Sequence, residues 1–145
     1  MEIGICRIHP EARLPEYKTV GAACFDIESI EETVVLPGEI KLIGTGLVFT
    51  IPMGHFLCIA PRSSLNKNGL DMPHSFGILD PDYSGKDDEA KILVRNFTDK
   101  PVKIEKYQRL AQGYIVPAPK VVWKERHISE LSEKSRGGYG STSKK

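Results

Sequence analysis

The sequence predicts an all-β fold of the sandwich or barrel type, and three observations carry that prediction. Apolar runs of strand length recur along most of the chain, turn signals built from Pro, Gly, Asn and Asp separate them at near-regular spacing, and no stretch offers more than a turn or two of helix. There is no internal repeat. A chain of 145 residues is long enough for one domain with a proper core and too short for two ordinary ones.

Ile3, Ile5, Cys6 and Ile8 predict a short opening strand, closed by His9-Pro10. After a loop through Leu14-Pro15-Glu16-Tyr17, small residues at 20–24 give way to Phe25-Asp26-Ile27-Glu28, an apolar run broken by one acid. Small residues allow close backbone approach, and an acid inside an apolar strand needs a partner; a half-buried strand would instead turn Asp26 to solvent. Val34-Val35-Leu36 is stopped by Pro37-Gly38, and 40–51 reads as two strands around Gly44 and Gly46. Pro52-Met53-Gly54 turns the chain into His55-Phe56-Leu57-Cys58-Ile59-Ala60, a near-continuous apolar strand that delivers Pro61-Arg62-Ser63-Ser64-Leu65. A helical turn fits 64–68. Residues 90–95 read as a largely buried strand, Asp99-Lys100-Pro101 as a turn, and 102–104, 109–116 and Val121-Val122-Trp123 as the remaining strands. A second helical turn fits 128–134. Residues 135–145 have no core-forming pattern and are expected to form a mobile arm when nothing is bound, leaving 1–134 as the folded domain.

Charge nearly balances, at +1, with lysines and arginines scattered, which argues against broad electrostatic adhesion to nucleic acid or to an anionic membrane. Three cysteines, Cys6, Cys24 and Cys58, stand at wide spacing among apolar or small residues, which predicts buried free thiols in a reducing compartment. The N-terminus lacks a basic start followed by an apolar run, and no stretch reaches membrane-spanning length, so the expected address is the cytoplasm.

Chemistry concentrates in a few places. Phe76-Gly77-Ile78-Leu79 reads as the end of a buried strand, followed at once by Asp80-Pro81-Asp82-Tyr83-Ser84-Gly85. Pro81 fixes its own φ and pushes Asp80 toward an extended conformation, so the turn aims its side chains. In strand period Asp80 and Asp82 share a side and Tyr83 takes the other. Taken alone, this is also a good surface turn. Arg62, Ser63 and Ser64 at a strand end suit phosphate oxygens, or simply cap the strand beside a surface arginine. Gln112, in an otherwise apolar strand, needs its amide satisfied by backbone or by ligand. Asp87-Asp88-Glu89 reads as a solvated loop rather than a metal site. The four histidines show neither metal nor nucleophile–base spacing, and no Gly-x-Ser-x-Gly or Gly-Lys-Ser/Thr loop is present. The Gly-rich end fits either a nucleic-acid-binding tail or a lid over a nucleotide, and one Arg-Gly-Gly is a weak signal for the first.

Five segments in order resemble the trimeric dUTP diphosphatase family: Gly21-Ala22-Ala23-Cys24-Phe25-Asp26-Ile27, Pro61-Arg62-Ser63-Ser64-Leu65, Gly77-Ile78-Leu79-Asp80-Pro81-Asp82-Tyr83, Arg109-Leu110-Ala111-Gln112, and Arg136-Gly137-Gly138-Tyr139-Gly140-Ser141-Thr142. Each is weak alone, and together they span essentially the whole chain. The resemblance implies a jelly-roll-like β-barrel, a homotrimer with sites at subunit interfaces, and magnesium-assisted splitting of dUTP into dUMP and pyrophosphate. It implies that Asp80 orients and deprotonates the attacking water and that Tyr83 packs on deoxyribose. Arg62, Ser63, Ser64 and Gln112 become phosphate contacts, and Ile78, Leu79 and Lys91 lie near the nucleoside. Arg136 meets the γ-phosphate, Tyr139 covers uracil with Gly140 beside it, and Asp26 acts on the metal indirectly, through water.

The chain departs from that family's pattern in four places. Tyr139 stands where phenylalanine is usual, and His74 stands where asparagine often lies beside the base. The final motif is shortened ahead of its ring, so Lys134 or Arg136 takes the arginine's role, and the loop 86–89 is long. Two rivals share the fold. dCTP deaminases carry a glutamate on the strand after the central motif, where Leu93 stands here. A nucleotide-binding module without catalysis is the other, and all five motifs keep their reactive groups.

Overall fold

The computed structural model describes residues 1–138. Eleven strands make up nearly all of its regular structure, with two 3₁₀ turns, at Asn66–Asn68 and Ile128–Glu130, and no α-helix among the described residues. The strands are β1 (Gly4–Arg7), β2 (Phe25–Glu28), β3 (Thr33–Val35), β4 (Ile40–Ile43), β5 (Leu47–Thr50), β6 (His55–Pro61), β7 (Leu70–Asp71), β8 (Gly77–Leu79), β9 (Ile92–Asn96), β10 (Val102–Ile104) and β11 (Arg109–Pro117). They pair antiparallel as β2-β11-β6-β8, β4-β9-β7, β1-β5 and β10-β3, a jelly-roll-like arrangement in which most neighbours are distant in sequence.

One apolar cluster draws on all four sheets. Ile27, Leu57, Ile59, Leu79, Leu110 and Ala111 come from the largest, Ile43, Leu70, Ile92 and Val94 from the second, and Leu47, Phe49, Val35 and Ile104 from the two pairs. In β9 the buried residues Ile92, Val94 and Asn96 alternate with Leu93 and Arg95, the period of a strand with one face on the core. Asn96 is the polar exception, and it is satisfied. Its amide donates to the carbonyls of Val35 (2.9 Å) and Lys100 (2.7 Å), and its oxygen accepts from the Thr98 amide (2.9 Å). In β6, Leu57, Cys58 and Ile59 are buried in succession, as expected of a central strand between β11 and β8. A Cβ on Gly113, in β11, would collide with the Phe25 ring of β2, so only glycine lets that ring lie across the sheet.

Three expectations need correction. Val121, Val122 and Trp123 form no strand and are exposed, because Pro117 and Pro119 remove ladder donors and the chain leaves the sheet there. Of the three free thiols, Cys58 is buried, Cys24 is half-buried and Cys6 is exposed, since β1 pairs on one side only and turns Cys6 away from the core. The acidic run does not simply face solvent. Asp88 accepts a hydrogen bond from the Gly85 amide (2.7 Å), and the Glu89 carboxylate folds back onto the chain between β4 and β5. No helix among the described residues is long and apolar enough to cross a membrane.

Candidate active site

β6 carries chemistry at both of its ends. At its C-terminal end Pro61 hands over to Arg62, and a turn closed by the Leu65 amide on the Arg62 carbonyl (2.9 Å) buries Leu65 and presents Ser63 and Ser64. β11 and β2 flank this end, with Gln112 level with Ala60 on one side and with Asp26 on the other. The Asp26 carboxylate, 12% exposed, receives two guanidinium groups: Arg62 Nε at 2.9 Å from Oδ1 and Arg109 Nη1 at 3.0 Å from Oδ2. Asp26 therefore has partners within the protein, the first of the two readings open to it. Arg62 is no simple surface cap either, because Nη1 also donates to the Arg109 carbonyl (3.4 Å). The Gln112 amide nitrogen donates to the Pro61 carbonyl (3.0 Å), a backbone bond that holds the side chain beside the arginine.

Arg109 is the residue here to which no role was given. Its signal lay in the arithmetic of a half-buried acid, which one guanidinium leaves partly unsatisfied.

At the other end, β8 pairs with β6 in the register Leu79↔Leu57 and Ile78↔Cys58, so Asp80 emerges one step further on, level with Phe56. The turn is closed by the Tyr83 amide on the Asp80 carbonyl (3.1 Å). The turn divides its side chains between two clefts. Asp80 and Asp82 line a cleft of ≈ 380 Å³ with His55, Phe56 and Lys120. Tyr83 lines a neighbouring cleft of ≈ 280 Å³ with Leu42, His74, Ile78, Leu79 and Lys91. The second cleft is lined by both apolar and polar side chains. Exposed Ile78 and Tyr83 face it together with the His74 and Lys91 side chains, a mixture suited to a flat heterocycle and a sugar. Tyr83 is held by its hydroxyl, which donates to the Glu89 carbonyl (3.2 Å).

The structure thus gathers Asp26, Arg62, Ser63, Ser64, Arg109 and Gln112 at the C-terminal end of β6, sets Ile78, Leu79 and Asp80 beside the rest of that strand, and places His74, Tyr83 and Lys91 around the cleft that Ile78 and Leu79 line. Asp80 and Arg62 are separated by the run from Phe56 to Arg62, about six residues or roughly 20 Å at strand rise, while Ile78 stands level with Cys58. Lys134 and Arg136 lie in an exposed segment. Tyr139 and Gly140 lie outside the described residues.

The family model described as dUTPase matches residues 10–143. The deoxyuridine 5'-triphosphate nucleotidohydrolase of Nautilia profundicola is 42% identical over 147 residues, covering 99% of this chain and all of the relative. Among solved structures, a mutant of the phage 80alpha dUTPase superposes with a TM-score of 0.84 at 25% identity, over 97% of this chain and 98% of that one. A second mutant of the Staphylococcus bacteriophage 80alpha dUTPase, solved with dUpNHpp, gives 0.80 at 25% identity over the same shares. On this match over nearly its whole length, the chain belongs to the dUTPase family.

Proposed function

We propose that the chain hydrolyses dUTP to dUMP and pyrophosphate. The observation that carries this reading is the division of chemistry along β6 in a chain of this family. Guanidinium, hydroxyl and amide groups suited to phosphate sit at one end, and a carboxylate and an aromatic ring beside a nucleoside-sized cleft at the other. In this reading the oxygen of a water bonds to the α-phosphorus while Asp80 takes the proton that water gives up. The bond from the α-phosphorus to the oxygen bridging it to the β-phosphorus breaks, and pyrophosphate leaves with that oxygen. Displacement of this kind needs positioning and charge neutralisation more than covalent help, and a placed carboxylate base contributes about 10²–10⁴ in rate.

Arg62, Ser63, Ser64 and Gln112 hold phosphate oxygens. Tyr83 packs on deoxyribose, and His74, Ile78, Leu79 and Lys91 border the nucleoside. Residues 135–145 act as an arm that closes on the 1–134 domain, Arg136 on the γ-phosphate and Tyr139 with Gly140 over uracil. Free thiols at three positions suit a reducing compartment such as the cytoplasm.

Magnesium fits this donor set only as an ion carried by the triphosphate. No cluster of three or more His, Cys, Asp or Glu able to hold a metal occurs among the described residues, and both Asp26 oxygens already face guanidinium groups. Asp26 would hold it through the ion's own waters, in keeping with the few protein ligands magnesium takes. When bound, the ion supplies neutralisation of phosphate charge.

The assembly read here is a homotrimer with sites between subunits, and the roughly 20 Å between the two ends of β6 supports a site shared between copies. A triphosphate is short for that span, so in this reading the phosphate end of one subunit meets the nucleoside end of another. Residues 121–138 are exposed throughout, as a segment that reaches a neighbouring copy would be.

The test is pyrophosphate release from dUTP, dCTP, dTTP and UTP with ammonia followed in parallel. Release from dUTP alone is expected. Ammonia from dCTP would make the chain a deaminase, and neither product would make it a silent module.

A further inference from the structure

The Glu89 carboxylate ties two loops together. It is 16% exposed, and its Oε1 accepts hydrogen bonds from the backbone amides of Thr45 (3.0 Å) and Gly46 (2.8 Å). Its Oε2 faces Lys91 Nζ at 3.6 Å. The receiving turn is shaped for it. Gly46 has φ +67, and a Cβ on Gly44 would stand 3.0 Å from Oε1. Further bonds secure the junction: the Thr45 hydroxyl donates to the Ala90 carbonyl (2.5 Å), and the Ala90 amide donates to the Leu47 carbonyl (2.8 Å). From this fixed point the Glu89 carbonyl reaches the opposite way and accepts the Tyr83 hydroxyl at 3.2 Å.

We propose that Glu89 is a positioning residue for sugar discrimination: by anchoring its own backbone to the 44–46 turn it fixes the Tyr83 ring, and through Oε2 it steers Lys91 along the same cleft. The sugar part rests on the dUTPase reading above; the anchoring does not. Tyr83 is 41% exposed, so packing alone leaves its rotamers open, and the hydroxyl bond to a carbonyl that cannot move selects one. Carboxylate-to-amide bonds are the strong kind, so the anchor holds against loop motion. A ring displaced by about 1 Å, a shift of the order that costs up to 10²-fold in rate, makes room for a 2′-hydroxyl.

The expected result for Glu89→Ala is a fall of about tenfold in the ratio of kcat/KM for dUTP to that for UTP. Most of it should come through KM, because Asp80 lines the other cleft. Glu89→Gln keeps Oε1 as acceptor for both amides and should keep the ratio. Lys91→Met, which removes only the ion pair, should weaken nucleotide binding and leave the ratio in place. Tyr83→Phe should reproduce the loss, and the double variant with Glu89→Ala should be no worse than either single one. Amide hydrogen exchange without nucleotide supplies the independent readout: Thr45 and Gly46 lose protection in Glu89→Ala and keep it in Glu89→Gln. An unchanged dUTP-to-UTP ratio in folded Glu89→Ala overturns the proposal, as does unchanged protection of those two amides. Should Glu89→Ala fail to fold, an unchanged ratio in Tyr83→Phe overturns it. Should the wild-type chain hydrolyse neither nucleotide, the dUTPase reading falls, and the exchange experiment still decides the anchor.

Discussion

At the Arg62 end of β6 the charged groups have already found one another, whereas at the Asp80 end the charge is left open. Asp26 is nearly enclosed and spans two guanidinium groups, while Asp80 is exposed on the wall of a cleft whose nearest other acid, Asp82, shares its face. The difference matches the work proposed for each end. Cations that must receive a polyphosphate are costly to leave bare, and an internal carboxylate holds them in place until the ligand arrives. A general base has to meet water, and a partner bound to its oxygens would compete with that role. In the proposed assembly, the anchored end of one copy and the open end of another would make one site.

The comparison breaks most easily at the open end. Asp80→Asn keeps the shape of the turn and removes the base, and kcat should fall by about 10²–10⁴ while binding of a non-hydrolysable analogue persists. Single-turnover rates and analogue titration measure the two separately. Equal loss of both would move Asp80 from base to binding group.

Whether the ends belong to different copies is sharpened by mixing. Asp80→Asn chains and Arg62→Gln chains should each be nearly inactive, and unfolding and refolding them together should restore about a quarter of the wild-type sites, the share in which one copy's intact Asp80 meets another's intact Arg62. No recovery would mean that each copy works with its own two ends. Removal of residues 135–145 should leave assembly intact, read by size-exclusion chromatography, and lower turnover by about a hundredfold, the scale of a lost charge-stabilising group.

Much of this organisation was legible from local pattern. The apolar run of β6, the Pro81-centred turn that parts Asp80 and Asp82 from Tyr83, and the serine-rich strand end are properties of a few adjacent residues, and all three are found as expected. What could not be read is what depends on register between distant strands. The second guanidinium on Asp26 comes from Arg109, across the sheet, and the Glu89 carboxylate meets amides more than forty residues away. Three acids in a row read as solvated because nothing local shows that a glycine turn waits for one of them. Val121-Val122-Trp123 misled for the converse reason: its composition is that of a strand, but the prolines before it leave no ladder to join.

The smallest effect tests the closed end. Asp26→Asn keeps the outline of the side chain and removes the charge, leaving Arg62 and Arg109 side by side and uncompensated. Their side chains are 27% and 41% exposed, so solvent screens the repulsion and the loss of stability should be only about 1 kcal/mol, read as a lowered Tm. The sign of the ligand effect separates the two readings of this carboxylate. A counter-charge that merely holds the arginines is replaced by an anion, so saturating inorganic triphosphate without magnesium should stabilise Asp26→Asn more than wild type and close the gap between them. A gap that stays the same with and without triphosphate would mean that Asp26 is part of the sheet's own framework and does not stand in for the ligand.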